Sequence, residues 1–251
     1  MKQIIVIVGL FVFSLVPTGS HANDEVIARV EVVTSTGVVQ IDVGGDTVTF
    51  FGTKIDGQHL TQIVKDRNKK MKDKPEVSSD HRGTRHEFKV MHAAVLLGKV
   101  KEPTAFPHLL ALLDDPYFSM RGHAAYSLEK FGARNALPTL LRVLQEGKPC
   151  NGNLVPAIAV LGDNTAVLPL INTIHSGGSN DAAKRLKAIE TITGLSLKEM
   201  REEWGLVYYG DKLPKFHRAM HEWWGENKHK SRNGKTAEPA TTADGEDAAA
   251  E

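Results

Sequence analysis

The sequence predicts a mainly α-helical protein: a right-handed α-solenoid of helical pairs with a small α+β unit at its N-terminal end. Pro107, Pro138 and Pro169 recur every 31 residues, and each begins an apolar phrase. A fixed repeat of between about 20 and 50 residues is typical of stacked repeat proteins. The three phrases read Pro107-His-Leu-Leu-Ala-Leu-Leu, Pro138-Thr-Leu-Leu-Arg-Val-Leu and Pro169-Leu-Ile-Asn-Thr-Ile-His.

Apolar periodicity divides the region from residue 85 to residue 204 into helices. Each proline is expected in the first turn of a leading helix, where its missing N–H costs little. Four glycines, Gly98, Gly132, Gly162 and Gly194, are expected to end the second helices in the left-handed conformation. Asp115, Asn135 and Asp181 are expected as N-caps or turn formers. The predicted helices span 86–97, 104–113, 117–131, 135–145, 152–161, 165–175 and 181–193.

The segment around the first repeat resembles the HEAT repeats of the bilin-lyase-like subclass. That family has a ladder of Asp and Arg side chains between adjacent repeats, and here only Asp115 and Arg121 match both positions. The next two repeats depart from the pattern, so the resemblance implies that their stacking relies on apolar contact. The resemblance is carried by Leu113-Asp-Asp-Pro116, Arg121, Ala124, Ala125, Leu128 and Gly132.

Residues 205–230 are predicted to form a C-terminal cap. Ile189-Glu-Thr-Ile-Thr-Gly194, Trp204 and the pair Trp223-Trp224 resemble the closing segment of secreted bacterial HEAT proteins. Large aromatic rings cover the open end of a helical stack well, although the same rings would also suit a ligand platform. Packing is the reading favoured by the sequence.

Residues 23–75 are predicted to form the small α+β unit. β-branched residues indicate strands over 26–33, 38–43 and 47–51, followed by a loop over 52–57 and a helix over 59–70. This order, together with Val39-Gln-Ile-Asp-Val43 and Gly52-Thr-Lys-Ile55, resembles the periplasmic domain of TolR-type biopolymer-transport proteins. The alternative is a cap on the end of the solenoid.

The two ends of the chain are predicted to lie outside the fold. Residues 1–22 combine Lys2, an apolar run and small residues before a cleavage position, which is typical of a secretory signal peptide. An uncleaved anchor is the alternative. Residues 231–251 carry five acidic and two basic residues without apolar periodicity, which predicts disorder. The protein is therefore expected to be exported, either periplasmic or secreted.

Composition narrows the classes of function. The net charge of +1 gives no bulk field for nucleic acid or a membrane surface. The single cysteine, Cys150, allows no intramolecular disulfide. His217 and His221 have a spacing that can bind a metal, but no third ligand is evident, so neither a metal nor a cofactor is predicted.

The sequence thus predicts a protein-binding scaffold or adaptor that uses the concave face of the solenoid and has no enzymatic activity. Two alternatives remain open: a lyase-type enzyme or enzyme subunit, and an accessory component of an envelope energy-transduction complex. The expected partner is a protein, with an acidic segment favoured, and the sequence does not indicate the oligomeric state. The candidate partner-binding residues, expected to face solvent, are Lys89, Arg121, Tyr126, Lys130, Asn151, Asn153, Lys184, Arg185 and Lys187.

Overall fold

The computed structural model describes residues 6–8, 11–13, 28–43, 55–73, 85–150, 152–175, 179–204 and 213–231. This part of the chain is mainly helical, and none of its helices is long and apolar enough to cross a membrane. Its α-helices are α1 Gly57–Asp73, α2 Arg85–Val100, α3 Phe106–Ala111, α4 Phe118–Phe131, α5 Leu137–Gln145, α6 Leu154–Leu161, α7 Val167–Asn172, α8 Ser179–Thr193, α9 Lys198–Trp204 and α10 Leu213–Asn227. Its strands are β1 Val6–Val8, β2 Phe11–Phe13, β3 Ala28–Thr34, β4 Gly37–Val43 and β5 Ile55–Asp56.

The helices of the repeat region form two rows that share one apolar core. Helices α2, α4, α6 and α8 pack against each other in succession. Helices α3, α5 and α7 each pack against the helix that follows in the chain. The predicted helical pairs are therefore present, and their arrangement is consistent with a helical repeat fold.

Each leading helix is preceded by a 3-10 turn, and buried residues show the true register of the repeats. The turns are Pro103–Ala105, Arg134–Ala136 and Asn164–Ala166, so the second interval is one residue shorter than the first. Pro169 keeps the 31-residue spacing and consequently lies one position deeper in α7 than Pro107 and Pro138 lie in α3 and α5. Two positions are fully buried in all three repeats: Ala105, Ala136 and Ala166, and Leu109, Leu140 and Leu170.

Two of the four predicted glycine caps are in the left-handed conformation. Gly132 has φ of 76° and Gly194 has φ of 74°. Gly162 follows α6 with φ of −76°, so the left-handed prediction is wrong there. It is also wrong for Gly98, which lies inside α2. Gly98 marks a close helix contact, because a Cβ at this position would press on the carbonyl oxygen of Ser127 in α4 and lie 2.6 Å from its Cα.

Of the three residues predicted as N-caps or turn formers, Asp115 forms a turn, and other residues cap the 3-10 turns. Asp115 accepts a hydrogen bond from the N–H of Tyr117 at 2.8 Å and so forms the turn before α4. Asn135 lies within a 3-10 turn and Asp181 lies within α8. Glu102 and Asp163 instead cap the 3-10 turns that precede α3 and α7.

The N-terminal unit is a β-hairpin extended by a short parallel strand. Strands β3 and β4 are antiparallel, and β5 pairs in parallel with β3 through Val32–Ile55 and Val33–Asp56. Part of the predicted loop over 52–57 is therefore strand, while the predicted strand over 47–51 lies outside the described residues. Helix α1 follows at once and packs on α2 and α3.

Two buried side chains tie this unit to the repeats. Glu102 accepts hydrogen bonds from the N–H and hydroxyl of Ser35, at 2.8 Å and 2.6 Å. Burial would raise the pKa of Glu102, but the hydrogen bonds from Ser35 and Thr104 hold it below its ordinary value. Arg67 of α1 is 1% exposed and forms two hydrogen bonds with the carboxylate of Asp115, at 2.8 Å and 3.0 Å.

The pairing of Arg67 extends to a second carboxylate. Its Nη1 lies 3.6 Å from Oε1 of Glu87 in α2. Burial would lower the pKa of Arg67, but its hydrogen bonds to Asp115 and the charges of Asp115 and Glu87 raise it above the ordinary value. One guanidinium thus joins α1, α2 and the turn before α4.

Helix α10 packs against α7 at the C-terminal end of the repeats. Phe216, Met220 and Trp224 are buried in the common core, as expected for a cap, and Trp223 packs beside them. Three histidines also lie at this contact. His217 is 4.7 Å from His221 and 6.3 Å from His175 between ring centroids, and the buried Nε2 of His217 has no hydrogen-bond partner.

We predict that Gly98→Ala lowers the free energy of unfolding by about 1–3 kcal/mol, because the added methyl group overpacks the contact of α2 with α4. Gly225→Ala is the control, since nothing lies within 4 Å of its Cβ position. It should stabilise the protein by about 0.5–1 kcal/mol by removing backbone entropy from the unfolded chain. Urea denaturation measures both values, and equal effects would contradict a close helix contact.

Arg67→Met should lower the free energy of unfolding by about 3–5 kcal/mol, since it leaves the Asp115 and Glu87 carboxylates without their shared cation. Lys69→Met is the matched control, because Lys69 is an exposed residue of the same helix. Its effect should stay within about 0.5 kcal/mol. A small effect of both substitutions in urea denaturation would show that the ion pair does not support the fold.

The stability of the cap should depend on pH. Burial, and then the charges of His221 and His175, lower the pKa of His217 below 6.5 in the folded protein. Above that pH the group is neutral in both states and contributes nothing. Below it the unfolded chain binds a proton that the folded chain resists, so the free energy of unfolding decreases as the pH falls.

His217→Phe removes this contribution and keeps an apolar ring in the contact. The loss of melting temperature between about pH 7.5 and about pH 5 should be smaller for this variant than for the wild type. A part of the loss should remain, because the pKa values of His92 and His108 are also lowered, chiefly by burial. His229→Gln, a change at an exposed position, is the control, and an equal loss in all three proteins would contradict the prediction.

Candidate functional site

The predicted partner-binding residues that the structure describes differ in how far they are exposed. Lys89, Tyr126 and Asn153 are half-buried, and Asn151 lies outside the described residues. Lys130 is exposed, lies 5.0 Å from the centre of the Tyr126 ring and pairs with Glu129 at 2.9 Å. Lys187 is also exposed, with its Nζ 4.0 Å from Glu190.

Arg121 and Arg185 correct the expectation that all nine side chains face solvent. Each is only 7% exposed. Both lie on the second helix of a pair, as predicted, but Arg121 reaches Pro149 in the next repeat and Arg185 contacts Thr173 at the end of α7. The position of an arginine in a helix does not show whether its guanidinium is buried, because a long side chain can bury its methylene groups while its charged end either reaches solvent or does not.

Arg121 acts as a connector between two repeats. Its Nη1 donates to the carbonyl oxygens of Asp115 and Pro116, at 2.6 Å and 3.0 Å. Its Nε donates to the carbonyl oxygen of Pro149 in the next repeat at 2.8 Å. The Asp–Arg ladder implied by the family resemblance is therefore different here, since Asp115 binds Arg121 through its backbone and Arg67 through its carboxylate.

A pocket of about 310 Å³ opens beside this contact, between the α5–α6 loop and α8. The loop contains Gly147 and Gly152, whose φ values of 65° and 89° allow it to fold back over the end of α5. Of the predicted residues, the structure brings Lys184 and Arg185 together here. The pocket is lined by Leu144, Gly147, Lys148, Pro149, Cys150, Gly152, Leu154, Val155, Asp181, Lys184 and Arg185.

The pocket lining carries three basic side chains and one acidic side chain, Lys148, Lys184, Arg185 and Asp181. Its formal charge of +2 exceeds the +1 of the entire chain. The ammonium of Lys148 forms ion pairs with Asp114 and Glu146, at 2.9 Å and 2.7 Å, in an exposed network outside the pocket. Lys184 lies 3.6 Å from Asp181, which is a loose contact for an ion pair.

Arg185 is the least satisfied basic group of the pocket. Its Nε donates to the hydroxyl of Thr173 at 3.3 Å, while its buried Nη1 has no hydrogen-bond partner. Burial lowers the pKa of Arg185, and the charge of Asp181 offsets that effect only in part. A guanidinium in this condition favours an anion from outside the fold.

Lys148 and Cys150 were not among the predicted site residues. The Gly-Lys-Pro-Cys-Asn-Gly sequence indicates a loop, but it does not indicate that this loop lines a pocket. The loop faces α8 across the pocket because α8 packs on α6. Burial raises the pKa of Cys150, although Arg121 and Lys148 oppose this. The thiol is therefore protonated near neutral pH and is a poor nucleophile.

No metal centre is formed within the described residues, where no three His, Cys, Asp or Glu side chains are placed to hold an ion. His217 and His221 do lie side by side, as their spacing predicts. However, Nε2 of His221 donates to Oδ1 of Asn172 at 2.9 Å, so that nitrogen already has a protein partner.

Comparison with known proteins gives one match. Residues 120–146, which contain most of α4 and all of α5, match the family model described as PBS lyase HEAT-like repeat. No curated protein matches the chain, and the resemblance of the N-terminal unit to TolR-type domains finds no support. The matched segment joins the second helix of one pair to the leading helix of the next pair. The match at residues 120–146 therefore supports a protein with HEAT-like repeats.

Proposed function

We propose that this protein is an exported HEAT-repeat scaffold or adaptor that binds another protein. The helical pairs form a right-handed α-solenoid, and the row of α4, α6 and α8 supplies its concave, partner-binding face. Export rests on the signal-like residues 1–22. The partner presents an acidic segment at the pocket between the α5–α6 loop and α8, which we name the basic pocket.

The observation that carries this proposal is the concentration of positive charge in the basic pocket. A nearly neutral protein has no general attraction for acidic partners, so the charges of Lys184 and Arg185, opposed by Asp181 alone among the lining residues, give direction to binding. The open loop and the helix also leave room for an extended segment. Repeat proteins commonly bind partners along such surfaces.

A second candidate function is a lyase-associated protein, and the description of the matched family model favours it. In that case the basic pocket would receive an acidic group of a chromophore or of the protein that carries it. A protonated Cys150 does not support nucleophilic chemistry by this chain. The scaffold therefore remains the better-supported function.

The test is affinity capture of the partner from the envelope fraction of the source cells with the mature chain as bait. Lys184→Glu should weaken capture about ten-fold at moderate salt, because it reverses a charge at the mouth of the basic pocket. Lys187→Glu is the matched control, since Lys187 is exposed on the same helix but does not line the basic pocket.

Capture by the Lys187→Glu protein should equal capture by the wild type. Higher salt should weaken capture by the wild type and by both variants. Equal capture by the wild type and Lys184→Glu would contradict binding at the basic pocket. The absence of any specifically captured protein would contradict the scaffold function itself.

A further inference from the structure

Three arginines are buried in the described part of the chain, and they differ in how their charge is compensated. Arg67 has the carboxylates of Asp115 and Glu87. Arg121 has three backbone carbonyl oxygens, from Asp115, Pro116 and Pro149. Arg185 has one hydroxyl, that of Thr173. The protein therefore satisfies two buried guanidinium groups and leaves the third with an unused donor.

The unused donor is costly, because a buried cation is stable only when it is paired and hydrogen-bonded. Asp181 is the acidic residue nearest in the helix, one turn before Arg185, but its carboxylate is directed to Lys184 at 3.6 Å. Thr173 is itself engaged, since its hydroxyl donates to the carbonyl oxygen of Pro169 at 2.8 Å. The neighbouring side chains thus give Arg185 no carboxylate partner.

Arg185 also lines the basic pocket, so an anion that enters there reaches it directly. The guanidinium is held by one long hydrogen bond, from Nε to the Thr173 hydroxyl at 3.3 Å, and its Nη1 has no hydrogen-bond partner. Lys184 lines the same opening and would attract the anion on its approach, whereas the ammonium of Lys148 is already paired with Asp114 and Glu146.

We propose that Arg185 is the specificity-determining residue of the basic pocket and binds one carboxylate of an aspartate or glutamate side chain. This rests on the proposed function in that the carboxylate belongs to the acidic segment of a bound protein. The planar guanidinium forms two parallel hydrogen bonds with the carboxylate oxygens, through Nη1 and Nη2 at its end, because its Nε is bonded to Thr173. Arg67 binds Asp115 with the same number of bonds, but from the side, through Nε and Nη2. Lys184 adds charge without this geometry.

The test is isothermal titration of the full mature chain with the peptide acetyl-Asp-Glu-Asp-Glu-amide. Arg185→Met should weaken binding about ten-fold or more, which is the effect of losing a charge-assisted pair of hydrogen bonds. Arg185→Lys keeps the charge but loses the parallel geometry, so its affinity should be intermediate. Lys187→Met should bind as the wild type does.

Two further ligands test the chemistry of the site. The peptide acetyl-Asn-Gln-Asn-Gln-amide has the same shape without charge and should not bind. Inorganic phosphate should bind more weakly than the acidic peptide. Equal binding of the neutral peptide would overturn the assignment, and so would phosphate binding that matches the acidic peptide and depends equally on Arg185.

Thermal unfolding separates recognition from structural support. Arg185→Met should leave the melting temperature unchanged or raise it, because it removes an uncompensated buried charge. A loss of stability like that expected for Arg67→Met would overturn the proposal, since Arg185 would then be paired within the fold. Peptide binding that does not depend on Arg185 would also overturn it.

The outcomes differ from those that test the scaffold function. Failure to capture any partner would remove the scaffold but leave an Arg185-dependent carboxylate site intact. Capture that depends on Lys184 but not on Arg185 would keep the scaffold and reject the carboxylate anchor.

Discussion

The buried contact of Arg67 with Asp115 and Glu87 fixes where the repeats begin. Asp115 forms the turn that starts α4, Glu87 lies in α2, and Arg67 comes from the N-terminal unit. Because a buried charge must be compensated, these three elements have one favourable arrangement relative to each other. The apolar layers of the repeats then follow from that first layer, with alanine and leucine at matching depths.

The arginines also explain why the candidate site lies toward the C-terminal end of the repeats. The first repeat uses Asp115 to satisfy Arg67, and its Arg121 reaches the carbonyl oxygens of two loops. Among the described residues, no carboxylate forms a hydrogen bond with Nη1 of Arg185, and the nearby Asp181 is directed to Lys184. The guanidinium of Arg121 is thus hydrogen-bonded in its repeat, while that of Arg185 is only partly hydrogen-bonded in a later one. Arg185 also borders an open pocket.

Much of the helical fold could be predicted, and the errors have physical causes. The proline phrases correctly indicated α3, α5 and α7. The constant 31-residue spacing did not give the exact register of α7, because a proline is tolerated at several positions of the first turn and Pro169 lies one position deeper. Gly98 looked like a helix end, yet a missing side chain also permits two helices to touch. Of the site, Lys184 and Arg185 were named in advance, but Lys148 and Cys150 lie in a loop whose position depends on packing.

The sequence by itself determined the mainly helical class of fold and the helical pairs, because apolar periodicity and turn residues act over a few positions along the chain. Only the tertiary structure decided which charges are buried, which are paired and which remain available. Arg67, Arg121 and Arg185 are the same residue type but have different surroundings. Arg67 and Arg121 bind oxygen atoms of residues that are distant in sequence, whereas Nη1 of Arg185 has no hydrogen-bond partner. The partners that compensate a buried charge are brought together only by folding, so the amino-acid sequence alone does not reveal them.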